Sequence, residues 1–276
     1  MKILLPISID SSFKDALTLA IDVAKTRDAE VLAAYVIDRD ELRRIEGGGG
    51  ISAIHMARRA AEETERRKMK EAADIISWIT RVCAEAGVKA QGSIREGKPA
   101  EEFVALAGDC DMVAGAINSH FKPDMEDKPG KMILKIMRDC STPVLLACTP
   151  YRPINTVVIG CGGGDRTGRV VGAMAKMSLW KTVNRGILLA VDDSQEAGEK
   201  RMTASRTILS EAGYDPWEAR VIHGPKQKVF PDFCENEKAD LVVLGGWGEH
   251  RWDDLLGFSV TGRLLDEGRR NLFLYM

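Results

Sequence analysis

The sequence predicts an α/β protein of two repeated domains, each a parallel sheet covered by helices on both faces. Three observations predict it. Short apolar runs rich in Ile, Val and Leu alternate with longer stretches of helical spacing along the whole chain, the pattern of a parallel sheet with crossover helices. The 276 residues suit two cores, at about 150 residues for each domain. The second half also repeats motifs of the first at the same places in the element order. Glu96-Gly97-Lys98-Pro99 echoes His223-Gly224-Pro225-Lys226, and Cys110-Asp111-Met112-Val113 echoes Ala239-Asp240-Leu241-Val242.

In order, 2–8 is a compact apolar strand, and 13–25 a helix with Ala16, Leu17, Ala20, Ile21 and Ala24 at helical spacing behind Ser11 or Ser12 as cap. A strand at 30–37 leads to one long helix over 51–86. Residues 88–94 are a strand, 99–107 a helix, 111–116 a strand, 131–138 a helix and 143–148 a strand. The four glycines at 47–50 have no side chains to pack and high backbone entropy, so 43–53 is expected to be poorly ordered and cut first by proteases. The second half repeats the order. Strands fall at 155–161, 185–191, 218–223, 240–245 and 271–276, and helices at 166–177, 195–212, 226–236 and 260–267. Thr149-Pro150-Tyr151-Arg152-Pro153 carries two prolines between two strands, which sets the expected domains at 1–149 and 154–276.

Composition removes several function classes. With 39 basic against 41 acidic side chains, a net charge of −2 offers no footprint for nucleic acid or an anionic membrane surface. No apolar run approaches the ~18 residues of a membrane span. The run from Ile3 to Ile9 ends at Asp10 without a small-x-small site, so it reads as a first strand rather than an export signal, and a cytoplasmic location is expected. The six cysteines stand at 83, 110, 140, 148, 161 and 234 and the four histidines are scattered. No CxxC or HExxH pattern exists for a metal, and buried thiols are expected.

Three short motifs fail on inspection. Ahead of Gly130-Lys131, Met125 fills the leading glycine of a P-loop and Met132 its Ser/Thr. Gly257-Phe258-Ser259-Val260-Thr261 has Thr261 in place of the last glycine of a hydrolase elbow. Gly160-Cys161-Gly162-Gly163-Gly164-Asp165 follows a strand but lacks the third glycine of a dinucleotide fingerprint. No catalytic residue is assigned.

Three segments, KILLPISIDSSFKDALTLA, REGKPAEEFVALAGDCDMV and ADLVVLGGWGEHRWDDLLGFSVTGRLL, resemble the universal stress protein family in its tandem form. The resemblance implies two adenine-nucleotide-hydrolase-like (Rossmann-like) domains, each a five-stranded parallel sheet of order 3-2-1-4-5 flanked by helices. It implies a Gly-x2-Gly-x9-Gly-Ser phosphate loop after the fourth strand, with an acidic residue after the first. In the second half Gly245 and Gly248 match the first two glycines and Ser259 the serine, followed by Val260. Phe258 stands at the third glycine, with Gly257 one position early. The acidic position aligns with Gly162, in the Gly162-Gly163-Gly164 run, with Asp165 downstream. In the first half Ala116 and Ser119 stand at the leading glycines and Gly130 and Lys131 at the Gly-Ser pair. There Ser8 takes the acidic position, with Asp10 downstream.

The resemblance therefore implies a stress-response binding and signalling module with degenerate adenine-nucleotide clefts. ATP or AMP is the expected ligand, at most slow ATP hydrolysis the expected activity, and no metal is called for. The nucleotide is expected in the second half, on Gly245, Gly248, Ser259, Val260, Gly162, Gly163 and Asp165. The first-half cleft of Ser8, Asp10, Ser119, Gly130 and Lys131 is vestigial, because its loop carries Asp124, Glu126 and Asp127 and two prolines, Pro123 and Pro129, which repel phosphate and lack amide donors. Ser259 is equally a helix N-cap and Gly245 equally a tight strand end. The fifth strands are expected side by side, as an intrachain pseudo-dimer, with a homodimer of whole chains also open. The competing reading is an interaction protein that has lost nucleotide binding and acts through its surfaces and oligomeric contacts.

Overall fold

A computed structural model describes residues 1–8, 10–46, 51–119, 135–136, 138–181, 183–214, 217–245 and 259–275. The first half runs β1 (Lys2–Pro6), α1 (Phe13–Arg27), β2 (Glu30–Asp38), α2 (Arg39–Glu46), α3 (Ile51–Glu85), β3 (Lys89–Gly97), α4 (Pro99–Gly108), β4 (Met112–Ala116) and β5 (Val144–Ala147). The second runs β6 (Thr156–Gly160), α5 (Asp165–Lys176), β7 (Arg185–Val191), α6 (Gln195–Glu211), β8 (Glu218–Ile222), α7 (Lys226–Asn236), β9 (Leu241–Gly245), α8 (Val260–Glu267) and β10 (Asn271–Tyr275).

The strands form one ten-stranded sheet, β3-β2-β1-β4-β5-β10-β9-β6-β7-β8. Within each half the neighbours are parallel and the order is 3-2-1-4-5, as the resemblance implied. The halves meet where β5 and β10 pair antiparallel, Leu146 beside Leu272, Leu145 beside Phe273 and Val144 beside Leu274. Both strands are apolar and buried, and each covers an edge that would otherwise be open to another chain. The outer edges are polar, with Lys89 and Arg95 in β3 and Glu218 and Arg220 in β8.

Alternate residues of the inner strands enter two cores, one on each face of the sheet. Leu5, Leu17, Val31, Val171, Leu188 and Phe273 pack under α1, α3, α5 and α6. Leu4, Phe103, Val113, Phe230, Val242 and Leu264 pack under α4, α7 and α8. Strands buried on both faces read as continuous apolar runs, which is why the sequence marks them well. The segment between the halves is tied to both. The Tyr151 amide donates to Asp15 (3.0 Å) and its hydroxyl to Asp22 (2.5 Å). Asn271, fully buried, accepts from the Cys148 amide (3.1 Å) and donates to the Arg152 carbonyl (2.8 Å).

Three differences from the sequence reading stand out. Helix α2 was not expected, because 39–46 is mostly charged and shows no apolar period. It folds against α3, with Leu42 on the core and Glu41 paired to Lys68. Residues 43–46 and 51–53 accordingly belong to α2 and α3, which corrects the expectation of a poorly ordered linker over all of 43–53; the glycines at 47–50 lie outside the described residues. Strand β3 continues to Gly97 because β2 extends beside it, Ile37 opposite Glu96 and Asp38 opposite Gly97. Of the helix expected over 131–138, residues 135–136 and 138 are described and helical, as is 139 just beyond it. Among the described residues no helix is long and apolar enough to cross a membrane, and no cluster of His, Cys, Asp and Glu could hold a metal ion.

Candidate functional site

The C-terminal ends of β6, β7 and β9 open into a cleft of about 300 Å³. It lies where the strand order reverses between β6 and β9, the place at which an open α/β sheet receives ligands. Its inner wall is apolar, made by Leu189 and Val191 at the end of β7, Leu244 on β9 and Phe230 of α7. Gly160 closes β6 without a side chain; a Cβ there would lie 2.5 Å from Leu244 and 3.1 Å from Phe230.

Three helices point their N-termini into this space. The chain leaves β6 through Cys161, Gly162, Gly163 and Gly164, and φ is +79° at Gly163 and +85° at Gly164, a backbone that only glycine adopts without strain. Gly164 then caps α5, whose Arg166 and Thr167 line the cleft. Helix α7 begins behind Pro225, and its first residue, Lys226, lines the opposite side. Helix α8 begins behind Ser259, with Val260 and Thr261 on the rim. Gly245, at the end of β9, allows a close backbone approach: a Cβ would stand 2.8 Å from the carbonyl carbon and oxygen of Arg166.

The electrostatics favour an anion. Unpaired amides at a helix start carry partial positive charge, and here three such starts converge. Arg166 and Lys226 both line the cleft, no carboxylate does, and neither cation has an ion pair among the described residues. Behind the glycine run, Arg201 of α6 donates to the Gly162 carbonyl (2.7 Å) and to the Asp192 carboxylate (2.6 Å). The Ser194 amide first, then Arg201, hold the Asp192 carboxyl below the usual range. The Asp192 carbonyl accepts from Nδ1 of His223 at 2.6 Å. Cys161 also lines the cleft, but burial pushes its thiol up to about 11, so it is not a ready nucleophile.

The matching end of the first half is built differently. Strand ends and the shared motifs align Ser8 with Gly162, Asp10 with Gly164, Ser12 with Arg166, Pro99 with Lys226 and Ala116 with Gly245. The Ser12 amide donates to Asp10 Oδ1 (2.7 Å), the Ser8 hydroxyl lies 3.3 Å from the same oxygen, and Ser8 and Ser12 hydroxyls are 3.3 Å apart. Counted from the strand end, serines and one carboxylate thus stand where the second half has glycines and an arginine. The Ser119 hydroxyl is buried without a hydrogen-bond partner among the described residues.

Of the residues proposed from sequence, the fold brings Gly162, Gly163, Gly245 and Val260 to one cleft. Ser259 sits just outside the lining, its hydroxyl accepting from the Gly262 amide at 2.9 Å as the α8 cap. Asp165 is exposed in the first turn of α5, and the lining passes from Gly163 to Arg166 without it. Gly248, Gly130 and Lys131 lie outside the described residues, as do Phe258, Trp247 and Trp252. Sequence reasoning missed Arg166, Thr167, Lys226 and Phe230. Lys226 was within a motif read as an echo, and its place at a helix start after the third strand was the available signal.

Residues 1–115 match the model of the universal stress protein family, and no curated protein matches the sequence. The fold is similar to that of a universal stress protein from Archaeoglobus fulgidus DSM 4304, with TM-score 0.72 and 14% identity over 99% of this chain and 97% of that one. It is also similar to a candidate universal stress protein from Pseudomonas aeruginosa UCBPP-PA14 (TM-score 0.62, 16% identity, 99% and 92% of the chains). A Pseudomonas aeruginosa PAO1 protein of unknown function gives TM-score 0.59 at 16% identity, over 99% and 92%. The first 115 residues are thus a universal stress protein domain, set in a chain that has the fold of such proteins along nearly its whole length.

Proposed function

We propose that the protein is a stress-response binding and signalling module of the cytoplasm that holds an adenine nucleotide in its second-half cleft. The observation that carries this is the pairing, in one cleft, of an apolar wall with three converging helix N-termini. A purine ring suits Leu189, Val191 and Phe230, and a phosphate suits the helix starts. Among the described residues the lining offers no carboxylate or imidazole, and the reading is one of binding, with slow ATP hydrolysis as the upper bound. The first-half cleft is vestigial in this reading, because Asp10 and its serines occupy the glycine positions. Phe258, in place of the third glycine, leaves AMP and ATP about equal as ligands.

The halves, 1–149 and 154–276, take the parts of two subunits joined through β5 and β10, and whole chains can pair further. A thermal-shift panel with AMP, ATP and unrelated anions tests the reading. A ligand that binds only the native state at 100 times its Kd stabilises by about 2.7 kcal/mol. Clear shifts with AMP and ATP are expected. No shift with any adenine nucleotide would transfer the case to an interaction protein working through its surfaces.

A further inference from the structure

Helix starts favour acidic residues and disfavour cations, because the backbone already places positive charge there. One helix start of this cleft breaks that preference. Helix α7 begins with Lys226 and has no acidic residue in its first turn, while α5 sets Arg166 second, after Asp165. The helices lie on opposite faces of the sheet, α5 over one core and α7 over the other, so the two cations flank the cleft from two layers. Neither has an ion pair among the described residues, and both residues line the cleft beside the starts of three helices. Positive groups gathered in this way are unfavourable unless an anion lies among them, and local rules are broken most often where function requires it. The first half differs at one of the two starts. Pro99 begins α4 where Lys226 begins α7, whereas Lys14 is the second residue of α1 as Arg166 is of α5.

We infer that Arg166 and Lys226 form the anion-selecting pair of the second-half cleft, gripping a phosphate from the α5 and α7 sides. Recognition of the charged group then rests on two side chains rather than on the glycine loop alone. This deepens the proposed function and rests on it for the identity of the base. It makes the ligand class a phosphate ester with a planar apolar group, bound more tightly than the uncharged nucleoside.

The test uses the full chain and three probes, AMP, adenosine and inorganic phosphate, followed by calorimetry and thermal shift. The double variant Arg166→Gln/Lys226→Gln removes both charges, and Arg166→Lys/Lys226→Arg keeps them. Both sites are exposed, so unchanged thermal midpoints without ligand are expected. Losing charge-assisted contacts worth about 1.5–3 kcal/mol should weaken AMP at least about tenfold, with adenosine binding unchanged. The charge-keeping variant should retain the preference for AMP, and phosphate should compete with AMP in all but the neutral variant. A preference for AMP over adenosine that survives in the neutral variant would overturn the inference and leave the proposed function standing. Phosphate binding that depends on the two cations, without any binding of AMP beyond it, would do the reverse. No binding of any probe to the native protein would remove both.

Discussion

The two ends of strands β1 and β6 carry the same turn of the same fold, yet they are built from different residues. After β1 the chain spends Ser8, Asp10 and Ser12 on one another. After β6 it uses three glycines, two at positive φ, so that α5 begins with free amides facing a cleft. At the ends of the fourth strands the contrast repeats. Ala116 is buried in the first half, whereas Gly245 touches the Arg166 backbone so closely that no side chain fits. A repeated fold need not carry a repeated site, because a few positions at strand ends set the lining and the charge of each crevice.

The sharpest way to break the contrast is to give the second half the first half's residue type. Gly245→Ala should push α5 off β9, destabilise by about 1–3 kcal/mol as overpacking does, and abolish nucleotide binding. The reverse change, Ala116→Gly, leaves that half's packing in place and should cost under about 1 kcal/mol, with no new binding. Denaturant unfolding and calorimetry on both variants check this. Equal effects from the two changes would mean that the close approach at Gly245 is not a device of the site.

Ser259→Ala separates two roles that the sequence left open. As the α8 cap, Ser259 should cost about 1 kcal/mol when truncated, with AMP affinity reduced little. A large loss of affinity at unchanged stability would instead make the hydroxyl a ligand group.

The smallest expected effect concerns the tie behind the glycine run. Asp192 has its folded pKa depressed below 3.8, so its contribution is present above that value and is lost as pH falls through the folded pKa. Arg201→Met should move the Asp192 midpoint up toward 3.8 but not to it, since the Ser194 amide, the larger cause, remains. A carboxyl-carbon NMR titration reads this directly, and an unmoved midpoint would separate Arg201 from the glycine loop's support.

What the sequence made legible follows from what it encodes locally. Strands buried on both faces are uninterrupted apolar runs, so β4, β5, β9 and β10 were placed to within one or two residues, and the duplicated order with them. Glycines that end strands were visible too, which put Gly162, Gly163 and Gly245 among the candidates. Helix α2 was hidden because its helicity depends on docking to α3 rather than on its own charged sequence. Arg166 and Lys226 were hidden for a related reason. Each looks like a solvated lysine or arginine until the sheet brings the two helix starts to one cleft. Ser259, which matches the serine of the phosphate loop, accepts from the Gly262 amide as the α8 cap, one of the two roles its sequence context allows.

The central claim is the asymmetry, and amide NMR of the full chain titrated with AMP tests it most directly. The account predicts saturation at one nucleotide per chain, with shifts at Gly162 to Thr167 and around Gly245, and none at Ser8 to Ser12 or Ala116. Shifts in the first-half residues, or two nucleotides per chain, would contradict it.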